Sequence, residues 1–286
     1  MQKIVNQTIT AIVRREFSRS LRFEDGRPPA LPQAREKLPR LLYLHVPFCE
    51  KLCPYCSFNR FLFDATRCRR YFHALQREIH LYRDRGYDFA GIYVGGGTPT
   101  VMIDELAATL ERARECFSIR EISVETNPNH LTEDRLNILK SAGVNRLSVG
   151  VQSFDDGLLK DVDRLEKYGS GAEVAARLAA IGGRFDTLNA DMMFNFPSQT
   201  PEILARDLDV LMRIGVDQVT YYPLMVSDST RRQVTEKLGE VDYGREEEYY
   251  DRILRRLLPT YRLSSAWCFS RQNGMIDEYI VDYDEY

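Results

Sequence analysis

Residues 41–56 read LLYLHVPFCEKLCPYC, an apolar run that leads straight into a turn with three cysteines. The run at 41–46 has the length and composition of a strand buried on both faces. The turn then places Cys49, Cys53 and Cys56, half of the six cysteines in the chain, within eight positions. This stretch therefore predicts a strand whose end carries a concentrated set of thiols.

Five further apolar runs follow, and stretches with helical spacing lie between the runs. The runs cover 91–97, 121–126, 146–151, 188–194 and 218–224, and the helical stretches cover 65–85, 103–117, 132–142, 171–182 and 201–214. Apolar strands that alternate with helices are typical of an α/β fold with a parallel sheet and right-handed crossovers. The pattern alone leaves a doubly wound open sheet, a partial barrel and a closed barrel as alternatives.

Changes in this pattern divide the chain into three parts. Helical spacing in the first 23 residues, followed by Gly26 and three prolines, predicts an N-terminal helix and a linker over residues 1–40. The alternating pattern predicts one core domain over 41–240. A charged helix near its start predicts a helical extension over 241–286, which is too short to form a domain.

The composition excludes several classes of function. With 286 residues, 44% of them hydrophobic, and a formal net charge of −3, the chain is typical of a globular protein without the basic field that binds nucleic acid. Its apolar runs are shorter than the ~20 residues that span a bilayer. We therefore expect a cytoplasmic protein with reduced thiols, a small-molecule ligand, and neither a nucleic-acid nor a membrane partner.

Unusual residues follow the ends of successive predicted strands. In parallel α/β folds, ligands bind at the carboxyl ends of the strands, so these residues are expected to share one site. After the cysteine turn, they are Gly96, Gly97 and Thr98 behind the second strand, Glu125 at the end of the third, Gln152 behind the fourth and Asp191 in the fifth.

The cysteine spacing C-x3-C-x2-C indicates a metal centre, because thiolates are the ligands that iron–sulfur clusters and zinc select. Zinc takes four ligands, and His45, the available fourth ligand, lies within the predicted strand. Three cysteines on a four-iron cluster leave one iron open to a further ligand. A zinc site and three reduced cysteines without metal remain alternatives at this point.

The remaining cysteines are interpreted mainly as packing residues. Cys68 and Cys116 fall in helical stretches, where a buried structural thiol is the favoured interpretation. Cys268 lies beside the only tryptophan and is a weaker candidate for contact with a substrate.

An aromatic residue directly before the last cysteine makes CEKLCPYC resemble the signature of radical S-adenosylmethionine (SAM) enzymes. The segments GGGTPT, SVETNP, RLSVGVQSF and NADMMFNFPSQTPE follow in the order and spacing of one subgroup. That subgroup contains the oxygen-independent coproporphyrinogen III oxidases, with haem-chaperone-like and radical methyltransferase relatives. The resemblance covers about residues 41–224 and implies a partial parallel (β/α)6 barrel.

The resemblance implies two cofactors and a role for each matched residue. Cys49, Cys53 and Cys56 would hold a [4Fe–4S] cluster, and SAM would chelate the fourth iron and yield a 5′-deoxyadenosyl radical after cleavage. Tyr43, the candidate catalytic residue, would lie near the methionine part and the cluster. The other implied SAM contacts are Tyr55 beside the adenine, Gly96, Gly97 and Thr98 near the amino group, Glu125, Gln152 and Asp191 around the amine and ribose, and Arg164 on the carboxylate.

We therefore expect an oxygen-sensitive enzyme that acts on a tetrapyrrole-like substrate, as a coproporphyrinogen dehydrogenase does, with a flavodoxin or ferredoxin as electron donor. A radical methyltransferase that uses two SAM molecules, a haem-binding chaperone and a zinc-stapled barrel are the alternatives. Two departures from the oxidases bear on the choice. Phe58 stands where they carry a further cysteine, and the chain ends before their C-terminal domain, so we expect residues 241–286 to be the start of a truncated region.

Overall fold

The computed structural model describes residues 2–20, 31–34 and 40–272. The chain divides into two compact units, residues 1–32 and 33–286. In the first unit, helix α1 spans Gln2–Ser20, within the segment for which a helix is predicted. Most of the predicted linker and the last fourteen residues of the predicted extension, 273–286, lie outside the described residues.

A mostly parallel sheet forms the centre of the second unit. Its strands lie in the order β1, β4, β5, β6, β7, β8, β10, β9, and the first six of these pair in parallel with one another. The last two strands continue the sheet in antiparallel pairing, while β2 and β3 form a separate pair. The strands are β1 (Leu41–Val46), β2 (Phe48–Cys49), β3 (Phe61–Leu62), β4 (Gly91–Gly96), β5 (Glu121–Thr126), β6 (Arg146–Gln152), β7 (Thr187–Phe194), β8 (Gln218–Pro223), β9 (Arg262–Leu263) and β10 (Cys268–Ser270).

Helices connect the parallel strands, and local sequence explains where several of them begin. Asp64, Ser170 and Thr200 are N-caps whose side chains accept hydrogen bonds from backbone N–H groups of the first turn. None of the described helices is long and apolar enough to cross a bilayer. The helices are α2 (Ala65–Asp84), α3 (Ile103–Cys116), α4 (Glu133–Ser141), α5 (Asp156–Asp161), α6 (Leu165–Tyr168), α7 (Gly171–Ala180), α8 (Pro201–Ile214), α9 (Arg231–Leu238) and α10 (Glu246–Leu257).

The strand order decides between the predicted architectures. The six parallel strands neighbour one another in chain order, so every crossover runs in the same direction along the sheet. Right-handed crossovers then place their helices on one face, and the sheet curves around the other face. A doubly wound sheet needs a reversal of this order, which the described strands do not show. The fold is therefore the partial (β/α)6 barrel type.

The inner face of the sheet carries a buried polar layer. Arg146 is fully buried, and its guanidinium donates to Gln218 Oε1 at 2.8 Å and to Ser123 Oγ at 2.9 Å. Nearer the carboxyl ends of the strands, Asn189 Nδ2 donates to Ser148 Oγ at 2.8 Å. Because buried polar groups are stable only when hydrogen-bonded, this layer fixes the relative positions of the strands below the site.

Asp207 on α8 fastens the segment that follows β6. Its carboxylate accepts hydrogen bonds from Ser153 Oγ at 2.7 Å and from the Phe154 backbone N–H at 2.8 Å. Burial raises the pKa of the Asp207 carboxyl to about 7, while the two hydrogen bonds act in the opposite direction. The folded pKa therefore lies above the unfolded value, so the contribution of Asp207 to stability is present below about pH 4 and is lost as the pH rises towards 7.

Replacing Asp207 with asparagine is expected to remove this pH dependence. When the pH is raised from about 5 to about 7.5, the free energy of unfolding of the wild type should fall by up to about 3 kcal/mol through Asp207, and that of D207N should not show this fall. D207N therefore gains stability relative to the wild type over this range. Urea unfolding at the two pH values measures the change. Asp209→Asn, on the exposed side of the same helix, is the matched control and should show no such gain. Parallel changes in wild type and D207N would contradict the assignment.

Candidate active site

The cysteine turn and the carboxyl ends of the parallel strands enclose a cavity of about 390 Å³. Eleven of the twelve residues singled out from the sequence line it, which places them within one site. They are Cys49, Cys53, Cys56, Tyr55, Gly96, Gly97, Thr98, Glu125, Gln152, Arg164 and Asp191.

The structure places Tyr43 outside the lining of this cavity. It lies in the middle of β1, is 48% exposed, and its hydroxyl hydrogen-bonds with His45 Nδ1 at 2.9 Å. Its ring stacks on Tyr93, and the hydroxyl of Tyr93 donates to Glu125 Oε1 at 2.7 Å. Tyr43 therefore contacts residues that adjoin the site, Tyr93 and His45, but does not line the cavity, because the cavity opens at the strand ends and Tyr43 precedes the end of its strand by three residues.

Arg60 holds the second half of the cysteine turn. One terminal nitrogen of its guanidinium donates to the backbone carbonyls of both Cys53 and Cys56 at 2.6 Å. The Cys56 N–H also donates to the Cys53 carbonyl at 3.3 Å, which closes the turn. One guanidinium thus fixes the backbone of both cysteines.

Gly96 and Gly97 let the end of β4 approach the turn closely. Gly96 has φ +115°, a conformation that disfavours side chains, and a Cβ there would lie 2.7 Å from the His45 ring. A Cβ on Gly97 would lie 2.9 Å from Cys49 Sγ and 2.8 Å from the Phe48 carbonyl oxygen. A side chain on Gly97 would displace the cysteine turn, and one on Gly96 would displace the His45 ring.

Two carboxylates from different strands face the cavity. Glu125 at the end of β5 accepts from Tyr93 and from the Gly96 N–H, the latter at 3.1 Å. Asp191 in β7 accepts from Ser148 Oγ at 2.7 Å and from Asn189 Nδ2 at 2.8 Å. Because each carboxylate is oriented by two donors, the cavity presents fixed negative charge to a cationic ligand.

Gln152 ends β6, the strand between the two that carry these carboxylates, and Arg164 directly precedes α6. Gln152 follows a register shift in the pairing of β6 with β7 and has φ +73°, which is rare for a residue with a side chain. Arg164 donates to Asn127 Oδ1 at 2.8 Å and to the Gly150 carbonyl at 2.6 Å, and it lies 3.6 Å from Cys53 Sγ. Although burial acts to lower the pKa of Arg164, the neighbouring Tyr55 and Cys53 raise it above its ordinary value.

The Cys49 thiol is buried and poorly solvated. Burial raises the pKa of Cys49 to about 11, although a hydrogen bond with Thr98 acts to lower it. Metal binding must therefore displace a proton. Within the described part of the chain, no group of three or more His, Cys, Asp or Glu residues is arranged around a single ion. A cluster takes each thiolate on a different iron atom, so it does not require the thiols to meet at one point.

Several residues of the cavity were not found by sequence reasoning. Arg60 is the most consequential, and the sequence gives no signal for it because its partners are backbone carbonyls. Cys268 lies in β10 opposite Thr220 and is not part of the lining, while Cys68 is buried in the core. The other lining residues not assigned a role from the sequence include Lys51, Phe58, Thr126, Tyr168, Met193 and Met225.

Comparison with known proteins agrees with this geometry. The model of the radical SAM superfamily matches residues 43–211. The heme chaperone HemW of Bacillus subtilis (strain 168) is 36% identical over 195 residues, which cover 66% of this chain and 51% of that protein. Anaerobilin synthase of Escherichia coli O157:H7 is 30% identical over 200 residues, which cover 67% and 44%.

A solved structure extends the similarity beyond the sequence matches. Coproporphyrinogen III oxidase (HemN) from Escherichia coli, described as a radical SAM enzyme, matches with a TM-score of 0.73 and 26% identity over 86% of this chain and 58% of that chain. The chain spans about half the length of the curated relatives that it matches.

Proposed function

The chain belongs to the radical SAM superfamily, within the subgroup of coproporphyrinogen III oxidase (HemN) and its relatives, and on this premise we propose that it is a SAM-cleaving radical enzyme with a tetrapyrrole substrate. Members of the superfamily use a [4Fe–4S] cluster and SAM. The observation that carries the proposal is the convergence of three thiols, two oriented carboxylates and two arginines on one cavity.

The donor set of the cavity fits these two cofactors. We infer that Cys49, Cys53 and Cys56 hold the cluster, since thiolates are the usual ligands of iron–sulfur centres. Arg60 and Arg164 also line the cavity, and each has a buried Nε without a hydrogen-bond partner among the described residues. Such N–H groups suit an anionic ligand, which the cluster thiolates and the SAM carboxylate both provide.

The protein residues bind and orient the cofactors. When bound, the cluster supplies one electron that cleaves the sulfonium of SAM, and the resulting 5′-deoxyadenosyl radical takes hydrogen from the substrate. Glu125 and Asp191 offer negative charge to the ammonium or sulfonium of SAM or accept hydrogen bonds from its ribose hydroxyls, and Gly96 and Gly97 allow its close approach. Arg164 offsets negative charge beside Cys53 and contributes a donor for the carboxylate. We take the electron donor to be a flavodoxin or ferredoxin.

The proposed substrate class rests on the relatives and on the mouth of the cavity. Both HemW and coproporphyrinogen III oxidase are named for tetrapyrrole ligands. Phe58 and Met225 line the cavity and are 65% and 62% exposed, so they offer apolar surface to a flat macrocycle.

A haem-binding chaperone is the second candidate function. It is favoured by the HemW relatives and by Phe58, which occupies the position of a further cysteine in the oxidases. In this role the chain would keep the cluster and bind haem at the exposed apolar mouth without decarboxylating a substrate.

Anaerobic reconstitution with iron and sulfide followed by product analysis tests both functions. Incubation with SAM, dithionite, coproporphyrinogen III and a one-electron acceptor, which takes the electron released with carbon dioxide, should yield 5′-deoxyadenosine and a product lighter by carbon dioxide and two hydrogens, detected by mass spectrometry. Haem binding without a changed substrate would favour the chaperone, and a methylated product would favour a methyltransferase. A colourless protein that retains no iron and forms no 5′-deoxyadenosine would refute the proposal.

A further inference from the structure

Glu50 follows Cys49 directly but turns away from the cavity towards the ends of two distant elements. Its Oε2 accepts hydrogen bonds from Asn129 Nδ2 at 2.9 Å and from His130 Nε2 at 3.0 Å. Its Oε1 accepts from Lys167 Nζ at 2.8 Å. One side chain of the cysteine turn is therefore tied to the segment after β5 and to α6.

The partner His130 is buried and has a defined tautomer. It is 4% exposed, and its Nδ1 lies 2.8 Å from Thr100 Oγ1. Burial lowers the pKa of His130 to about 4, so the ring is neutral near neutral pH. Because the Glu50 carboxylate only accepts, the ring proton lies on Nε2, and Nδ1 accepts from the Thr100 hydroxyl.

This assignment gives direction to a chain of hydrogen bonds that ends at the cavity. The Thr100 hydroxyl donates to His130, so it accepts from Thr126 Oγ1, which lies 2.7 Å away. Thr126 lines the cavity at the end of β5. The chain runs from Thr126 through Thr100 and His130 to Glu50, and the donor and the acceptor of each hydrogen bond in it are defined.

The two halves of the cysteine turn have separate anchors. Arg60 holds the carbonyls of Cys53 and Cys56, whereas it makes no hydrogen bond to Cys49 or Glu50 among the described contacts. The half that contains Cys49 is held by the short pairing of β2 with β3, by a hydrogen bond from the Thr98 N–H to the Phe48 carbonyl at 2.8 Å, by the buried Phe48 side chain and by Glu50. The Glu50 contacts are the restraint that ties this half to the segment after β5 and to α6.

We propose that Glu50 and His130 are positioning residues that fasten the Cys49 half of the turn to the barrel and thereby hold the Cys49 thiol at the cavity wall. The inference rests on the proposed function for the purpose of this thiol. The tether itself consists of contacts between protein groups alone, so it can be measured in protein prepared without metal.

Alkylation of individual cysteines in the metal-free protein tests the tether. In His130→Ala, the rate of iodoacetamide labelling at Cys49, followed by peptide mass spectrometry, should rise about tenfold or more, because a buried hydrogen bond to a charged group is lost. Cys68, which is buried in the core, is the internal reference for global unfolding and should keep its rate. His130→Gln retains an N–H that can reach Glu50 and should restore most of the protection.

A double-mutant cycle and a surface control complete the test. Glu50→Ala should accelerate labelling at least as much as His130→Ala, because it also removes the contacts with Asn129 and Lys167, and the double variant should be no faster than Glu50→Ala. Lys167→Met removes the more exposed partner of the same carboxylate and should have a smaller effect. Equal acceleration at Cys49 and Cys68, unchanged labelling at Cys49, or additive effects would each overturn the inference.

Iron transfer from the reconstituted protein to a ferrous chelator provides the link to the cluster. His130→Ala should lose iron about tenfold faster than the wild type. A wild type that retains no iron would refute the proposed function, while the alkylation results would still decide whether the tether exists. Faster labelling of Cys49 with unchanged iron loss would overturn the assigned purpose of the tether.

Discussion

Cys53→Ala is expected to abolish iron retention after anaerobic reconstitution and to reduce 5′-deoxyadenosine formation to background. Cys53 is buried in the cysteine turn, lies 3.6 Å from the Arg164 guanidinium, and has its carbonyl held by Arg60. Two thiolates cannot replace three on a cluster that has one open iron, so the loss is complete rather than graded. Iron content, visible absorption and product analysis measure the effect.

Cys116→Ala is the matched control for this substitution. Cys116 lies at the end of α3, where its thiol is 3.7 Å from His80 Nδ1, and it does not line the cavity. The control should keep the iron content and absorption of the wild type. Full iron content in Cys53→Ala would show that the ligand assignment is wrong.

Asp191→Ala is expected to weaken SAM binding by about tenfold or more while the cluster still assembles. The carboxylate is held in place by Ser148 and Asn189, so its removal takes away a charge that is already oriented towards the cavity. Charge-assisted hydrogen bonds contribute about 1.5–3 kcal/mol each, which corresponds to this range of affinity. Equilibrium dialysis of SAM against the reconstituted protein under anaerobic conditions gives the dissociation constant.

The iron content of the same Asp191→Ala sample separates binding from structure. Brown protein with weak SAM affinity supports a contact with the cofactor, whereas colourless protein would assign Asp191 a structural role. Asp209→Ala, on the exposed side of α8, is the control and should bind SAM as the wild type does.

The regular elements of the core follow from the sequence because their signals are local. The six parallel strands and the five helices predicted between them begin and end within a few residues of the predicted bounds. The short helices α5, α6 and α9 were not predicted, because four to eight residues give too little periodicity to recognise. The pairs formed by β2 with β3 and by β9 with β10 were also missed, since each includes a strand of only two residues.

The lining of the candidate site could be predicted from the sequence, whereas the contacts that support it could not. The residues that line the cavity fall at strand ends, where a parallel sheet gathers ligands, so their positions follow from the strand pattern. The contacts that support these residues do not follow from the strand pattern. Arg60 binds backbone carbonyls, and Glu50 reaches His130 across 80 positions, so neither leaves a mark in the local sequence. Whether the Tyr43 side chain lines the cavity likewise depends on how far Tyr43 lies from the end of β1, which the local sequence does not show.

At Gln152, the backbone conformation favours glycine, but glycine would remove a side chain that lines the cavity. Its φ of +73° is a conformation in which glycine is more stable than glutamine by about 1 kcal/mol. Directed evolution for heat resistance alone would therefore favour glycine at 152 and discard an amide that faces the cavity. Because glycine there would remove a side chain from the cavity wall, substitutions meant to raise the thermal stability of this chain are better placed at other positions.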